Sequence, residues 1–239
     1  MYLTCPRRYY YEYVLGLEGK REDSAYVQFH RAVYAVLYWL QRESAAGRDV
    51  SHEAAQAMLA QAWEEIGPRD HAYEALYRRS AEALVARALG RPVRGKVRGS
   101  RQPWTVERQL GRIRLTPDHV ELLDDGTEVV QRLRTGRPSK SELEKPLYAL
   151  YQVAPSEQLQ GTPRRVEVVF LSHDAALEVR LSERQVQSRL AKYDEALAGI
   201  LTAQFPPQRN DRECPRCPHY FICPLAEDGA TATVSASLP

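Results

Sequence analysis

Three cysteines in "CPRCPHYFICP" (Cys214, Cys217 and Cys223) are spaced C-x2-C-x5-C, and the fourth cysteine of the chain, Cys5, stands at the opposite end in "LTCPRRYYYEY". This feature constrains the fold most, because a shared set of thiols would hold the two chain ends together whatever lies between them. Two disulfides, a four-cysteine zinc site and an iron–sulfur cluster are the alternatives. Disulfides are rare in reducing compartments. Four-cysteine zinc sites usually come as two C-x2-C pairs, whereas one distant cysteine with a three-cysteine group is unlike them. Ligand chemistry and spacing favour a 4Fe-4S cluster on Cys5, Cys214, Cys217 and Cys223, with zinc as the competing reading.

With 239 residues, 44% of them hydrophobic, the chain can bury a core as one large domain or two small ones. An apolar run such as "AVLYWL" at 35–40 is far short of the roughly 20 residues a membrane-spanning helix needs, and no secretory leader opens the sequence. A soluble, cytoplasmic protein with no membrane partner is expected. The net charge of +2 does not by itself point to nucleic acid. Its distribution is uneven, however: "RALGRPVRGKVRGSRQ" carries Arg87, Arg91, Arg94, Lys96, Arg98 and Arg101 without an acid. That run is a candidate phosphate contact, and the competing reading is a solvated Gly/Arg loop.

Periodicity predicts a short helix from Pro6 to Leu15, then helices at about 25–46, 52–66 and 69–89. The period then changes, and "WTVERQL", "HVELL", "EVVQRLR", "RVEVVFL" and "ALEVRL" read as strands, with Asp124, Asp125 and Gly126 turning the second into the third. A helix at about 140–153 interrupts them, and a long helix opened by Ser182 follows. The result is an α/β fold: a mixed sheet of roughly four or five strands with helices on both sides. The organisation expected is one domain over 1–225, with a helical part at about 25–90, a sheet core at about 104–181 and a cysteine-bearing coil at 206–225. Residues 226–239 have the small, polar composition of a flexible tail.

The segments "CPRRYYYEYVLGL" and "GILTAQFPPQRNDRECPRCPHYFICP" resemble the iron–sulfur staple of RecB/AddB-type nuclease domains in the PD-(D/E)XK superfamily, and the resemblance covers nearly the whole chain. It implies a restriction-endonuclease-like sheet. In that family an early-helix histidine, a strand aspartate, a second acid and a lysine two residues on assemble a divalent-metal site that hydrolyses DNA. "YVQFHRAVYAVL" matches the early helix at His30, with Tyr26 where a glycine is usual. "TPDHVELLDDGTEVVQRLRTGR" aligns without a gap and places the aspartate at Asp118, Arg132 at the second acid and Arg134 at the lysine. The Q-x-x-x-Y motif reads "EKPLY", with Glu144 at the glutamine position and Tyr148 retained. A rival register on "GRIR" puts Arg114 at the aspartate, so either register loses an acid.

Strand alternation sends Val130, Arg132 and Arg134 to one face. Two guanidiniums there oppose a dication, Mg²⁺ needs several oxygen ligands, and arginine does not deprotonate as lysine can. The remnant site is therefore expected to lack its Mg²⁺ or Mn²⁺, with Asp118 paired to Arg132 or Arg134. Glu121 or Glu128 could supply a displaced acid. His30 has a core-packing reading, as do Tyr9, Tyr10, Tyr11 and Tyr13, which could otherwise stack on unpaired bases.

These readings favour a DNA-binding, catalytically inactive nuclease-like domain of a repair or recombination helicase or helicase–nuclease complex. It would meet single-stranded DNA or duplex ends through Arg91, Arg94, Lys96, Arg98, Arg101, Arg132 and Arg134. The sequence contains no G-x-x-x-x-G-K-[ST] stretch, so a helicase motor would act in cis or in trans from elsewhere. The opening "MYLTCP" falls inside the resembled motif and suggests a piece of a longer polypeptide. The alternatives are an active metal-dependent DNA exonuclease with a rearranged site and a structural scaffold for a helicase partner.

Overall fold

The computed structural model describes residues 1–19, 23–99, 102–154, 163–211 and 213–225. The helices are α1 (Pro6–Tyr9), α2 (Ala25–Ala45), α3 (His52–Ile66), α4 (Glu74–Leu89), α5 (Lys140–Leu143), α6 (Leu147–Val153) and α7 (Glu183–Leu201). The strands are β1 (Lys96–Gly99), β2 (Trp104–Arg108), β3 (Gly111–Leu115), β4 (His119–Leu122), β5 (Glu128–Arg134), β6 (Arg164–Phe170) and β7 (Ala175–Glu178). The chain divides into two compact units, one of residues 1–22, 109–111 and 191–239, the other of 23–108 and 112–190. The expected tail at 226–239 lies outside the described residues.

In the larger unit, Ser24 and Ser51 open α2 and α3: their hydroxyls accept from the amides of Val27 at 3.4 Å and Ala54 at 3.1 Å. Each helix buries one stripe. Phe29, Val33, Val36 and Leu37 of α2 meet Leu59 and Trp63 of α3 and Leu84 and Val85 of α4, in a core that also takes in Leu133, Val169 and Leu171 from the sheet side. Trp63 is fully buried, and its indole NH is satisfied by the Glu74 carboxylate at 3.0 Å. The other Glu74 oxygen accepts from the Asp70 amide at 3.0 Å. That bond fixes a turn with Asp70 at φ 61°, so α4 starts at Glu74 and not at 69.

The main sheet has five strands in the order β1-β4-β5-β6-β7, with β5 and β6 parallel and the other neighbours antiparallel. A parallel pair needs a crossover, and the segment between β5 and β6 carries α5 and α6. Pro146 separates these two short helices where one was expected, since proline donates no amide and its ring clashes with the preceding turn. Gly126, at φ 82°, completes the β4–β5 turn, and the Asp125 side chain accepts from the Thr127 amide at 2.8 Å.

Three strands differ from expectation: β3, at "GRIRL", is absent from the strands read from sequence, and β1 and β2 depart from them as well. β2, read as part of the sheet, pairs with β3 in a separate hairpin. The edge of the main sheet is taken by β1, which arises inside the Gly/Arg run read as phosphate contact or loop. Its sequence lacks the apolar alternation of a strand. What admits it is Gly95: a Cβ there would stand 2.2 Å from the Leu122 carbonyl oxygen, so glycine alone lets the backbones approach. Lys96 and Arg98 are exposed on this edge, where charge discourages further pairing.

In the smaller unit, α1 continues into a π-helical turn at Tyr10–Val14. Tyr10 stacks on Phe205 with centroids 5.0 Å apart, Tyr9 stacks on Tyr13 at 5.0 Å, and buried Tyr11 donates its hydroxyl to the Ile222 carbonyl at 3.0 Å. These contacts are the packing alternative for the tyrosine run. No described helix is long and apolar enough to cross a membrane.

Candidate functional site

Asp118 immediately precedes β4 and is 2% exposed. Its Oδ1 accepts from Arg132 Nη1 at 3.0 Å and its Oδ2 from the Leu133 amide at 2.9 Å. Of the two arginines named from sequence, Arg132 is the one that meets Asp118. Arg134, on the same face of β5, turns to Glu142, with both Nε and Nη2 at 2.7 Å from Oε1. Tyr148 donates its hydroxyl to that same oxygen at 2.7 Å, and Lys145 Nζ reaches Oε2 at 2.6 Å. Burial pushes the Glu142 carboxyl up, but hydrogen bonds from Lys145 and Tyr148 and the Arg134 charge outweigh it and hold the group below its ordinary value. Burial, then the hydrogen bond to Glu142, drives the Tyr148 phenol up, and burial chiefly pushes Tyr151 up to about 12.

His30 Nδ1 lies 2.9 Å from the Thr135 hydroxyl, just past the end of β5, and burial lowers its pKa. Of the residues named from sequence, the structure thus gathers Asp118, Arg132, Arg134 and Tyr148, with His30 reaching the strand end through Thr135. Glu144 does not join them. It is exposed and leans toward Lys140 at 3.8 Å, while Glu142, two residues earlier, holds the inward position. Sequence reasoning missed Glu142, although a signal exists: Ser139-x-x-Glu142 is a capping-box spacing, and Ser139 Oγ accepts from the Glu142 amide at 3.2 Å.

The alternative acids are engaged elsewhere. Glu121 projects to the opposite sheet face, where it meets His119 Nε2 at 3.2 Å and Arg94 Nε at 3.3 Å. Glu128 sits four residues before Arg132 and accepts from Arg164. Arg94 also forks onto Glu167 at 3.0 and 2.8 Å, so within the basic run it serves two buried carboxylates and is not a free phosphate donor. Arg91 approaches Asp174 at 3.8 Å, and Arg101 lies outside the described residues. The face around Asp118 thus holds three cations, Arg132, Arg134 and Lys145, against the carboxylates of Asp118 and Glu142. Such a surface suits an anion better than a dication.

The four cysteines line one cavity of about 180 Å³ within the smaller unit, with Arg7, Arg8 and Tyr11 beside them. Cys5 precedes α1 in extended backbone, with Pro6 as the first helical residue. Cys214 opens a short 3-10 turn closed by the Cys217 amide at 3.0 Å from the Cys214 carbonyl, and the Cys223 amide repeats the contact on Tyr220 at 3.1 Å. The Asn210 amide donates to Cys214 Sγ at 3.3 Å. Burial pushes the Cys217 thiol up, partly opposed by a backbone hydrogen bond from His219 and the Arg8 charge. All four cysteines are free thiols, and among the described residues no three His, Cys, Asp or Glu side chains converge to hold a single ion.

Among solved structures, that of a protein from Eubacterium rectale provisionally named an exonuclease aligns at 12% identity and a TM-score of 0.46, over 98% of this chain and 83% of that one. The protein SSO0001 aligns at 15% identity and a TM-score of 0.38, over 92% of this chain and 95% of the other. No curated protein matches the chain. Residues 1–224 match the sequence model of the PD-(D/E)XK nuclease superfamily, and the chain belongs to that superfamily.

Proposed function

We propose that this chain is a nuclease-fold module that binds DNA without cleaving it and serves a repair or recombination helicase whose motor is supplied in cis or in trans. The observation that carries the reading is the Asp118–Arg132 ion pair. A divalent ion in this fold would need the Asp118 carboxylate and at least one more acid. Here one Asp118 oxygen is taken by a guanidinium and the other by the Leu133 amide. The position two residues on is a second guanidinium, already clamped by Glu142. Releasing Asp118 for a metal would break a buried pair and leave Arg132 facing the ion at close range, which is unfavourable on both counts.

The cysteine cavity supports a 4Fe-4S staple in the same reading. The four cysteines line one cavity, and one distant cysteine with a C-x2-C-x5-C group is a spacing that favours a cluster over zinc. Cys5, Cys214, Cys217 and Cys223 would be the ligands, and the cluster would contribute folding free energy by joining chain ends. The phosphate contacts proposed are Lys96 and Arg98 on β1 together with the Arg132 and Arg134 face.

The test is a paired assay on the full chain, with labelled single-stranded and duplex-end substrates in Mg²⁺ and in Mn²⁺. Binding that weakens with salt, and no cleavage above background, is expected. Mn²⁺-dependent cleavage that Asp118→Ala abolishes would restore the active-exonuclease alternative. Absence of DNA binding would leave the scaffold reading.

A further inference from the structure

Beside its buried stripe α2 carries a row that a solvated helix does not need. Tyr26, His30, Tyr34 and Tyr38 recur every four residues and so lie one above another, spaced by about 6 Å along the axis. The helix already buries its apolar stripe through Phe29, Val33, Val36 and Leu37, with Tyr34 packed along its edge, and the surface beside such a stripe would ordinarily turn charged. Instead these rings line an open groove of about 560 Å³ together with Arg31, Ala35 and Ile66. Tyr26 is 59% exposed.

The rings are held in place and not splayed into solvent. Tyr26 and His30 meet edge to face with centroids 4.2 Å apart, and Tyr34 and Tyr38 lie 5.6 Å apart. Tyr34 donates its hydroxyl to the Leu133 carbonyl at 3.2 Å, and His30 meets Thr135. Both anchors are at the end of β5, so the groove runs up to the face where Arg132, Arg134 and Lys145 outnumber Asp118 and Glu142. Two buried nitrogens at this junction, Arg132 Nε and His30 Nε2, have no hydrogen-bond partner among the described residues. Arg137 and Lys140 follow within five residues of Thr135 and are exposed.

We infer that Tyr26, His30, Tyr34 and Tyr38 form a stacking platform for the unpaired bases of a single nucleic-acid strand, whose phosphates lie along the cationic face at the end of β5. The inference deepens the DNA-binding reading above and rests on it. A row of rings offers a π-face to each successive base whatever its identity, while the cations meet the one charge that every nucleotide carries. A duplex keeps its bases stacked on one another and cannot use the rings. The platform therefore selects single strands and is indifferent to sequence.

The test is fluorescence anisotropy on the full chain with three probes: a labelled dT strand, an abasic strand of the same length, and a duplex. The dT strand is expected to bind at least about 10-fold tighter than the abasic strand, because one stacked base alone contributes roughly that factor. Tyr26→Ala, at an exposed ring, should lower this preference by about the contribution of one stacked base, roughly 10-fold, and Tyr26→Phe should keep it. The salt dependence should be unchanged in both variants, since no phosphate contact is lost. If dT and abasic strands bind alike, if the duplex binds tighter, or if Tyr26→Ala leaves the preference intact, the platform is refuted while DNA binding stands. If none of the probes binds, both readings fall.

Discussion

Replacing Arg132 by Gln removes the guanidinium from Asp118 while keeping a shorter, uncharged polar side chain. Asp118 is 2% exposed and the Arg132 side chain 25% exposed. Breaking a buried pair by removing one partner costs roughly 3–5 kcal/mol. Asp118 keeps the Leu133 amide, and Arg132 is partly open to water, so the lower end applies: about 3 kcal/mol. In a domain of this size that corresponds to a melting temperature lowered by roughly 6–12 °C. Asp118→Asn combined with Arg132→Gln leaves no orphan charge, so the double variant should cost less than the sum of the singles by at least about 1.5 kcal/mol. Urea unfolding of the four proteins, followed by circular dichroism, measures this coupling. Additivity within about 0.5 kcal/mol would show that the pair is not a unit. An Arg132→Gln variant as stable as the parent would mean that Asp118 is poised for something other than this arginine.

Three further outcomes follow from the same structure. Protein purified without oxygen should be brown, with about four irons and four sulfides per chain, and Cys5→Ser should lose both the colour and thermal stability; stoichiometric zinc without iron would contradict this. The Glu142 carboxyl lies below its ordinary value in the folded chain, so its contribution is complete at neutral pH and is lost as the pH falls below its ordinary value of 4.5. Glu142→Gln should therefore flatten the acid side of the stability profile, and an unaltered acid limb would remove Glu142 from the account. Gly95→Ala should force β1 away from Leu122, costing about 1–3 kcal/mol and exposing the β1 amides to hydrogen exchange; full protection in the variant would contradict the close approach.

What could be read in advance followed from strong periodicity. The two-residue alternation of "EVVQRLR" put Arg132 and Arg134 on one face, and Asp118 meets one of them there. The long helices α2 and α3 were legible because Ser24 and Ser51 cap them and their apolar stripes are continuous. β1 was hidden because it depends on backbone clearance at Gly95 and not on any pattern of its own side chains. Glu142 was overlooked because motif spacing pointed to Glu144, whereas the break at Pro146 and the cap at Ser139 set which acid turns inward. The ring row at Tyr26, His30, Tyr34 and Tyr38 is plain at four-residue spacing, but it is buried in a count of apolar residues that treats tyrosine as core.

The central claim is that arginine has displaced the metal from this nuclease site, and calorimetric titration with Mn²⁺ tests it most directly. Arg132→Asp with Arg134→Lys restores two carboxylates on one face, residue 132 and Asp118, and keeps a cation for Glu142. The account predicts no Mn²⁺ binding by the parent protein and measurable binding by the double variant. Mn²⁺ binding by the parent that Asp118→Ala abolishes would contradict it.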